Sequence, residues 1–189
     1  MKRYFTLFMA LVFVSVGIRA ARQPDRIVEY KQIGDISLTL HIFNPPNLEQ
    51  GDKKAAIVFF FGGGWVTGTP AHFYNQSEYL ASRGMVAICA DYRTRNKHGT
   101  SPLESVKDGR SAIRWVRQHA WELGIDPDRL AAGGGSAGGH VAAATGTTKN
   151  LDEDGEDTSV SCRVFLNPPV SIICRLFYSD SHRTAVPVD

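Results

Sequence analysis

The chain has 189 residues, 43% hydrophobic and 21% charged, which is globular composition with enough length for one sizeable core and excludes a disordered tail, a collagen-like repeat and a coiled coil. With 21 basic residues against 19 acidic ones there is no excess to neutralise a row of phosphates, so no nucleic-acid partner is expected. Cys89, Cys162 and Cys174 are too few and too widely spaced for a disulfide scaffold, and none forms a CxxC pair that could hold zinc.

Lys2 and Arg3 precede a mainly apolar run from Tyr4 to Ile18, followed by the small residues Ala20 and Ala21. This layout reads as a secretory signal peptide over residues 1–20, cleaved near Ala20, and it implies a secreted or periplasmic product. A membrane anchor is the alternative, but the run is shorter than the ~20 residues a spanning helix needs, so no stable span is expected after cleavage. Without residues 1–20 the chain carries 18 basic against 19 acidic residues, so most of the apparent basicity belongs to the targeting segment.

From Arg26, two short strands are expected, Ile27 to Gln32 and Ser37 to Phe43, joined as a hairpin through Gly34 and Asp35. The continuous apolar run Ala55 to Phe61 suits a strand buried on both faces of a sheet. Thr69 and Pro70 then open a helix that Gly84 can close, with Phe73, Gln76 and Leu80 on one face. Met85 to Ala90 reads as the next buried strand. Ser101, Pro102 and Glu104 supply the N-cap, first-position proline and third-position acid of a capping box. Leu103, Val106, Ile113, Val116, Ala120 and Leu123 carry that helix to Gly124. Pro127 and Asp128 make a turn, Arg129 to Ala132 a short strand, and the residues after Ser136 a small-residue helix through Val141 and Ala144.

Strands alternating with helices after an initial hairpin argue for an α/β fold, a mostly parallel sheet with helices on both faces. Asp152 to Asp157, five acids in six residues, reads as a solvated loop. As a calcium loop it fails, because Gly155 falls at the fourth position and not the sixth.

Two glycine clusters sit directly after buried strands, where open α/β sheets place their ligands: Gly62, Gly63 and Gly64 before Trp65, and Gly133 to Gly139 around Ser136. Gly134, Ser136 and Gly138 fit GxSxG, the nucleophile elbow, whose sharp strand-to-helix turn needs small residues two before and two after the serine. The amide of Ala137, at a helix N-terminus, can then face a developing oxyanion. The first cluster offers backbone donors to the same oxygen. Gly133, Gly135 and Gly138 also satisfy GxGxxG, but a dinucleotide fingerprint belongs on the first strand of its domain and wants an acid about 20 residues on. Glycines used only for close packing are the remaining alternative.

Phe61 to Trp65 resembles the HGGGW motif, and Gly133 to His140 the GxSAGGH elbow, of the hormone-sensitive-lipase-like α/β hydrolases, above all their bacterial acetyl esterase and lipase branch. Asp91, Tyr92 and Arg93 are similar to the DYR segment of that family, and Gly124 to Arg129 to its GIDPDR turn. The resemblance implies a serine carboxylic-ester hydrolase acting on short acyl groups, with acetylated carbohydrate among its substrates and no metal or organic cofactor. Ser136 would be the nucleophile, and Gly63, Gly64 and Ala137 would supply the oxyanion hole.

Two departures stand out. Phe61 replaces the usual histidine of the first motif, which bears on loop geometry more than on reaction type. In the family the catalytic acid and histidine follow the elbow on later loops, whereas here Arg163 to Asn167 with Pro168 resembles the next strand and residues 171–189 read as an atypical tail. We therefore expect residues 21–170 to form the amino-terminal part of a hydrolase domain, truncated after the elbow. His140 reads as a packing residue, His41, His72, His98 and His119 as ordinary surface or core residues, and His182 with Asp180 as a substitute pair reached only from the tail. A non-catalytic remnant or interaction domain, and a peptidase of the same fold, stay open as alternatives.

Overall fold

The computed structural model describes residues 22–148 and 162–166. The amino-terminal segment, the acidic run Asp152 to Asp157 and the tail 171–189 lie outside the described residues. The hairpin forms as the sequence reading expects: β1 (Arg26–Ile33) and β2 (Ile36–Phe43) pair antiparallel across Gly34 and Asp35. Its register shifts between Glu29 and Lys31, an inserted residue that turns Tyr30 into the core.

β2 next pairs antiparallel with β4 (Val86–Ala90), and from there the sheet is parallel, through β3 (Lys54–Phe60) and β5 (Ile125–Gly135) to β6 (Cys162–Leu166). The strand order is β1-β2-β4-β3-β5-β6. Side chains of the central strands alternate between two cores. Ala56, Val58 and Phe60 of β3 join Val86, Ile88 and Ala90 of β4 on one face, under helices α3 (Pro102–Gln118) and α4 (Ala137–Thr147). Ile57 and Phe59 join Ala87 and Cys89 on the other, under α1 (Tyr74–Ser82). Two buried faces explain why β3 and β4 read as continuous apolar runs. Among the described residues no helix is long and apolar enough to cross a membrane.

The helices depart from expectation in three places. Thr69 caps a short 3₁₀ turn, Pro70–Phe73, before α1 begins, and the buried face is Phe73, Ser77 and Ala81, whereas Gln76 is exposed. Small residues at that spacing let α1 approach the sheet, where Ser77 Oγ and Cys89 Sγ lie 3.1 Å apart. The capping box forms, with Ser101 N–H donating to Glu104 Oε2 at 3.0 Å, but α3 stops at Gln118 and not at Gly124. From there the chain tightens into turns that keep Ala120 and Leu123 buried and bring Ile125 beside Lys54. Finally, a four-residue helix α2 (Arg95–His98) lies in a stretch with no apolar periodicity to announce it.

Candidate active site

β3 and β5 are neighbours in register, Phe60 beside Gly134, so the segments that leave their carboxyl ends run side by side. A Cβ placed on Gly62 would lie 2.9 Å from the Gly135 carbonyl oxygen and 3.6 Å from Ser136 Cβ. The two glycine clusters therefore meet at Ser136.

Ser136 is exposed and holds φ 50°, ψ −116°, a conformation that side chains other than glycine rarely adopt. It stands between the last residue of β5 and the first of α4. The clearance around it explains the glycines at minus two and plus two. A Cβ on Gly134 would fall 2.5 Å from both the Gly138 carbonyl oxygen and the Phe60 carbonyl oxygen, and one on Gly138 would fall 2.0 Å from the Phe60 oxygen. Ala137 opens α4, so its amide is one of the helix N-terminal donors that have no partner within the helix. The other end of α4 is pinned to α3 by the buried Arg110, whose guanidinium donates to Thr148 Oγ1 at 2.9 Å and to the Thr148 carbonyl. A cation suits that helix terminus.

The first cluster turns through left-handed backbone, with Gly63 at φ 133°, Gly64 at φ 64° and Trp65 at φ 59°. The amides of Val66 and Thr67 both donate to the Gly63 carbonyl, at 3.0 and 3.2 Å. Arg95 and Asn96 of α2 donate backbone N–H groups to the carbonyls of Trp65 and Val66, at 2.9 and 3.0 Å. The Trp65 indole meets the His140 ring edge to face, with centroids 5.3 Å apart, and so ties this loop to the first turn of α4.

Behind both clusters lies the segment after β4. The buried Tyr92 hydroxyl donates to the Phe61 carbonyl at 2.6 Å, and the Tyr92 ring stacks on Phe61 with centroids 4.0 Å apart. Burial, and then the Asp91 carboxylate, push the Tyr92 phenol up, so it stays a donor at neutral pH. Arg93 forms a two-pronged pair with the fully buried Asp108, at 2.7 and 2.8 Å, and Lys31 reaches the same carboxylate at 3.2 Å. His98 Nδ1 accepts the Thr94 amide at 3.0 Å, and burial followed by the neighbouring Lys97 lowers its pKa.

The structure brings Ser136, Ala137, Gly63 and Gly64 into one corner, and it distributes the histidines elsewhere. His140 packs on Trp65, His72 lies edge-on to Phe61, His119 stacks on Trp115, and His41 is bonded to Tyr74 and Thr39. Among the described residues no histidine ring is hydrogen-bonded to the Ser136 hydroxyl; His140 meets Ser136 only through its backbone amide, which donates to the Ser136 carbonyl at 3.1 Å. Asp180 and His182 lie outside the described residues. Cys89 is buried beside Ser77 with its thiol pushed up to about 12, mainly by desolvation, so it is a packing residue rather than a nucleophile. Among the described residues no group of His, Cys, Asp and Glu is placed to hold a metal ion. The sequence reading missed Arg95 and Asn96, which act through backbone amides. Their only signal is Thr94 and Gly99 at the two ends of a single helical turn.

Residues 40–171 match the BD-FAE family. The chain is 38% identical to the "Probable isoprenylcysteine alpha-carbonyl methylesterase ICMEL1" of Arabidopsis thaliana, over 84% of this chain and 34% of that protein. It is 32% identical to the carboxylesterase NlhH of Mycobacterium tuberculosis, over 65% of this chain and 37% of that protein. A solved thermophilic esterase of Thermogutta terrifontis, with propionate bound, superposes with a TM-score of 0.72 at 45% identity, covering 74% of this chain and 53% of that one. The chain thus spans about a third of the length of these curated relatives and about half of the structural neighbour. With the mixed sheet, the strand-to-helix turn at Ser136 and these likenesses together, the chain belongs to the BD-FAE family, among the esterases and lipases of the α/β hydrolase group.

Proposed function

We propose that this protein is a serine carboxylic-ester hydrolase in which Ser136 is the nucleophile. The observation that carries this reading is the backbone of Ser136, held at φ 50°, ψ −116° with the Gly62 loop against it. A conformation costing of the order of 1–3 kcal/mol persists only where the surroundings over-determine it, and here it leaves the hydroxyl exposed at the head of a helix. Ser136 Oγ attacks the ester carbonyl, and the amides of Gly63, Gly64 and Ala137 receive the oxyanion of the tetrahedral intermediate. The alcohol leaves, and water hydrolyses the acyl-serine to free acid and serine. The propionate bound to the Thermogutta terrifontis esterase supports a short acyl group. Acetylated carbohydrate as substrate and an exported location belong to the same reading through the family resemblance and the amino-terminal segment.

Among the described residues no histidine ring bonds to the Ser136 hydroxyl, so they supply no proton acceptor for it. Hydrolysis of p-nitrophenyl acetate by the 189-residue chain tests the reading. With the hydroxyl unassisted, turnover should be slow, because loss of triad members leaves roughly 10³ to 10⁴ over water. It should fall to background in Ser136→Ala. Equal rates in wild type and Ser136→Ala would sink the assignment, whereas fast, Ser136-dependent turnover that is lost in His182→Ala would place the base at His182.

A further inference from the structure

We propose that Tyr92 is a positioning residue for ester hydrolysis, holding the Gly62–Trp65 loop at the elbow through its hydrogen bond to the Phe61 carbonyl and its stack on the Phe61 ring. The inference rests on the reading of Gly63 and Gly64 as oxyanion donors.

Phe61 is the last residue before the loop, and its carbonyl carbon is bonded to the Gly62 nitrogen. The plane of that peptide therefore sets the direction in which the loop leaves β3. Two neighbours fix the plane. Tyr92 Oη donates to the Phe61 oxygen at 2.6 Å, and the elbow helix lies so close that a Cβ on Gly138 would come within 2.4 Å of the same oxygen. One carbonyl thus joins the start of the loop to the second residue after Ser136. The Phe61 ring is fixed equally, stacked on Tyr92 on one side and overlapped at 2.3 Å by any Cβ placed on Gly68 on another.

Tyr92 is itself immobilised. Its amide donates to Asp91 Oδ1 at 2.9 Å, Tyr30 Oη donates to the Asp91 carbonyl at 2.7 Å, and the next residue, Arg93, is clamped by Asp108. Phe61 has no polar side-chain atom with which to fasten the loop, so the phenol of Tyr92 supplies the polar tie at this point. A shift of the loop by a fraction of an ångström misaims donors whose worth depends on where the oxyanion forms.

The test compares the 189-residue chain with Tyr92→Phe, which keeps the ring stack and removes only the hydroxyl. Native-state hydrogen exchange reads loop position without requiring turnover: the Val66, Thr67, Arg95 and Asn96 amides, all bonded to or within the loop, should exchange about tenfold faster, while the β3 amides keep their rates. In Ser136-dependent hydrolysis of p-nitrophenyl acetate, kcat should fall about tenfold with KM unchanged. Unaltered exchange at those four amides overturns the proposal, as does an unaltered kcat or a change confined to KM. If hydrolysis persists in Ser136→Ala, the assignment of Ser136 fails instead, and the exchange measurement still decides whether Tyr92 holds the loop.

Discussion

Gly62–Trp65 and Gly134–Gly138 converge on Ser136, and their glycines answer different demands. In the first segment Gly63, Gly64 and Trp65 all take positive φ, and a Cβ on Gly64 would meet nothing within 4 Å. That glycine is needed for conformation alone, whereas Gly63 is needed for clearance as well, since its Cβ would fall 2.0 Å from the Thr67 carbonyl oxygen. In the second, Gly134 and Gly138 are needed for clearance, because a Cβ on Gly134 would overlap main-chain atoms of Phe60 and Gly138, and one on Gly138 those of Phe60 and Phe61. The one strained residue there is Ser136, which is not a glycine. The loop, which turns through positive φ, is held from outside by Tyr92, Arg95 and Asn96, whereas the elbow is held by close contact with the main chain of Phe60 and Phe61.

Substitutions separate the two demands. The largest effect is expected from Gly138→Ala, whose Cβ would sit 2.0 Å from the Phe60 oxygen with main chain on both sides. It should cost about 4 kcal/mol or more in denaturant unfolding and leave the chain largely unfolded. Gly64→Ala has room for its methyl group and should cost about 1–2 kcal/mol, the torsional term alone. Comparable losses for the two variants would break the distinction between conformation and clearance.

Ser136→Gly sharpens it further. Both Ser136→Gly and Ser136→Ala remove the hydroxyl, yet only glycine relaxes at φ 50°, ψ −116°. The glycine variant should unfold about 1 kcal/mol harder than the alanine variant, the strain relieved being partly offset by the freer unfolded chain. Equal midpoints would mean that the elbow stores no torsional strain.

The smallest effect concerns pH and only the first segment. His98 accepts the Thr94 amide at Nδ1, and desolvation first, then Lys97 and Arg93, lower its pKa from the ordinary 6.5, against the opposing pull of Asp91 and Asp108. The unfolded chain therefore takes up the proton first. Stability from this contact is complete above pH 6.5 and is lost as pH falls through the depressed folded value. His41 on β2, lowered by desolvation against Asp91, adds to the pH slope of global stability but touches neither segment, so it leaves the local comparison unchanged. Acidification should accelerate exchange at the Thr94, Arg95 and Asn96 amides before those of α4, and His98→Asn should flatten that response. A uniform response across both segments would erase the difference between them.

The amino-acid sequence by itself determined the features set within a few residues. The hairpin at Gly34 and Asp35, the capping box of Ser101 and Glu104, the central strands β3 and β4, and the GxSxG turn at Ser136 all depend on torsional preference, local hydrogen bonding or alternating burial. The tertiary structure alone decided what depends on a distant partner. The buried face of α1 follows from Cys89 and the second core, which select Ser77 over the exposed Gln76. α3 ends at Gln118 because Ile125 must reach Lys54, a pairing about 70 residues apart in the chain that no helical periodicity encodes. The place of Phe61 was decided in the same way. As a residue it reads as a lost histidine, and only the fold sets its ring on Tyr92 and its carbonyl between the Tyr92 hydroxyl and Gly138, because both contacts are made across strands brought together by the order β4-β3-β5.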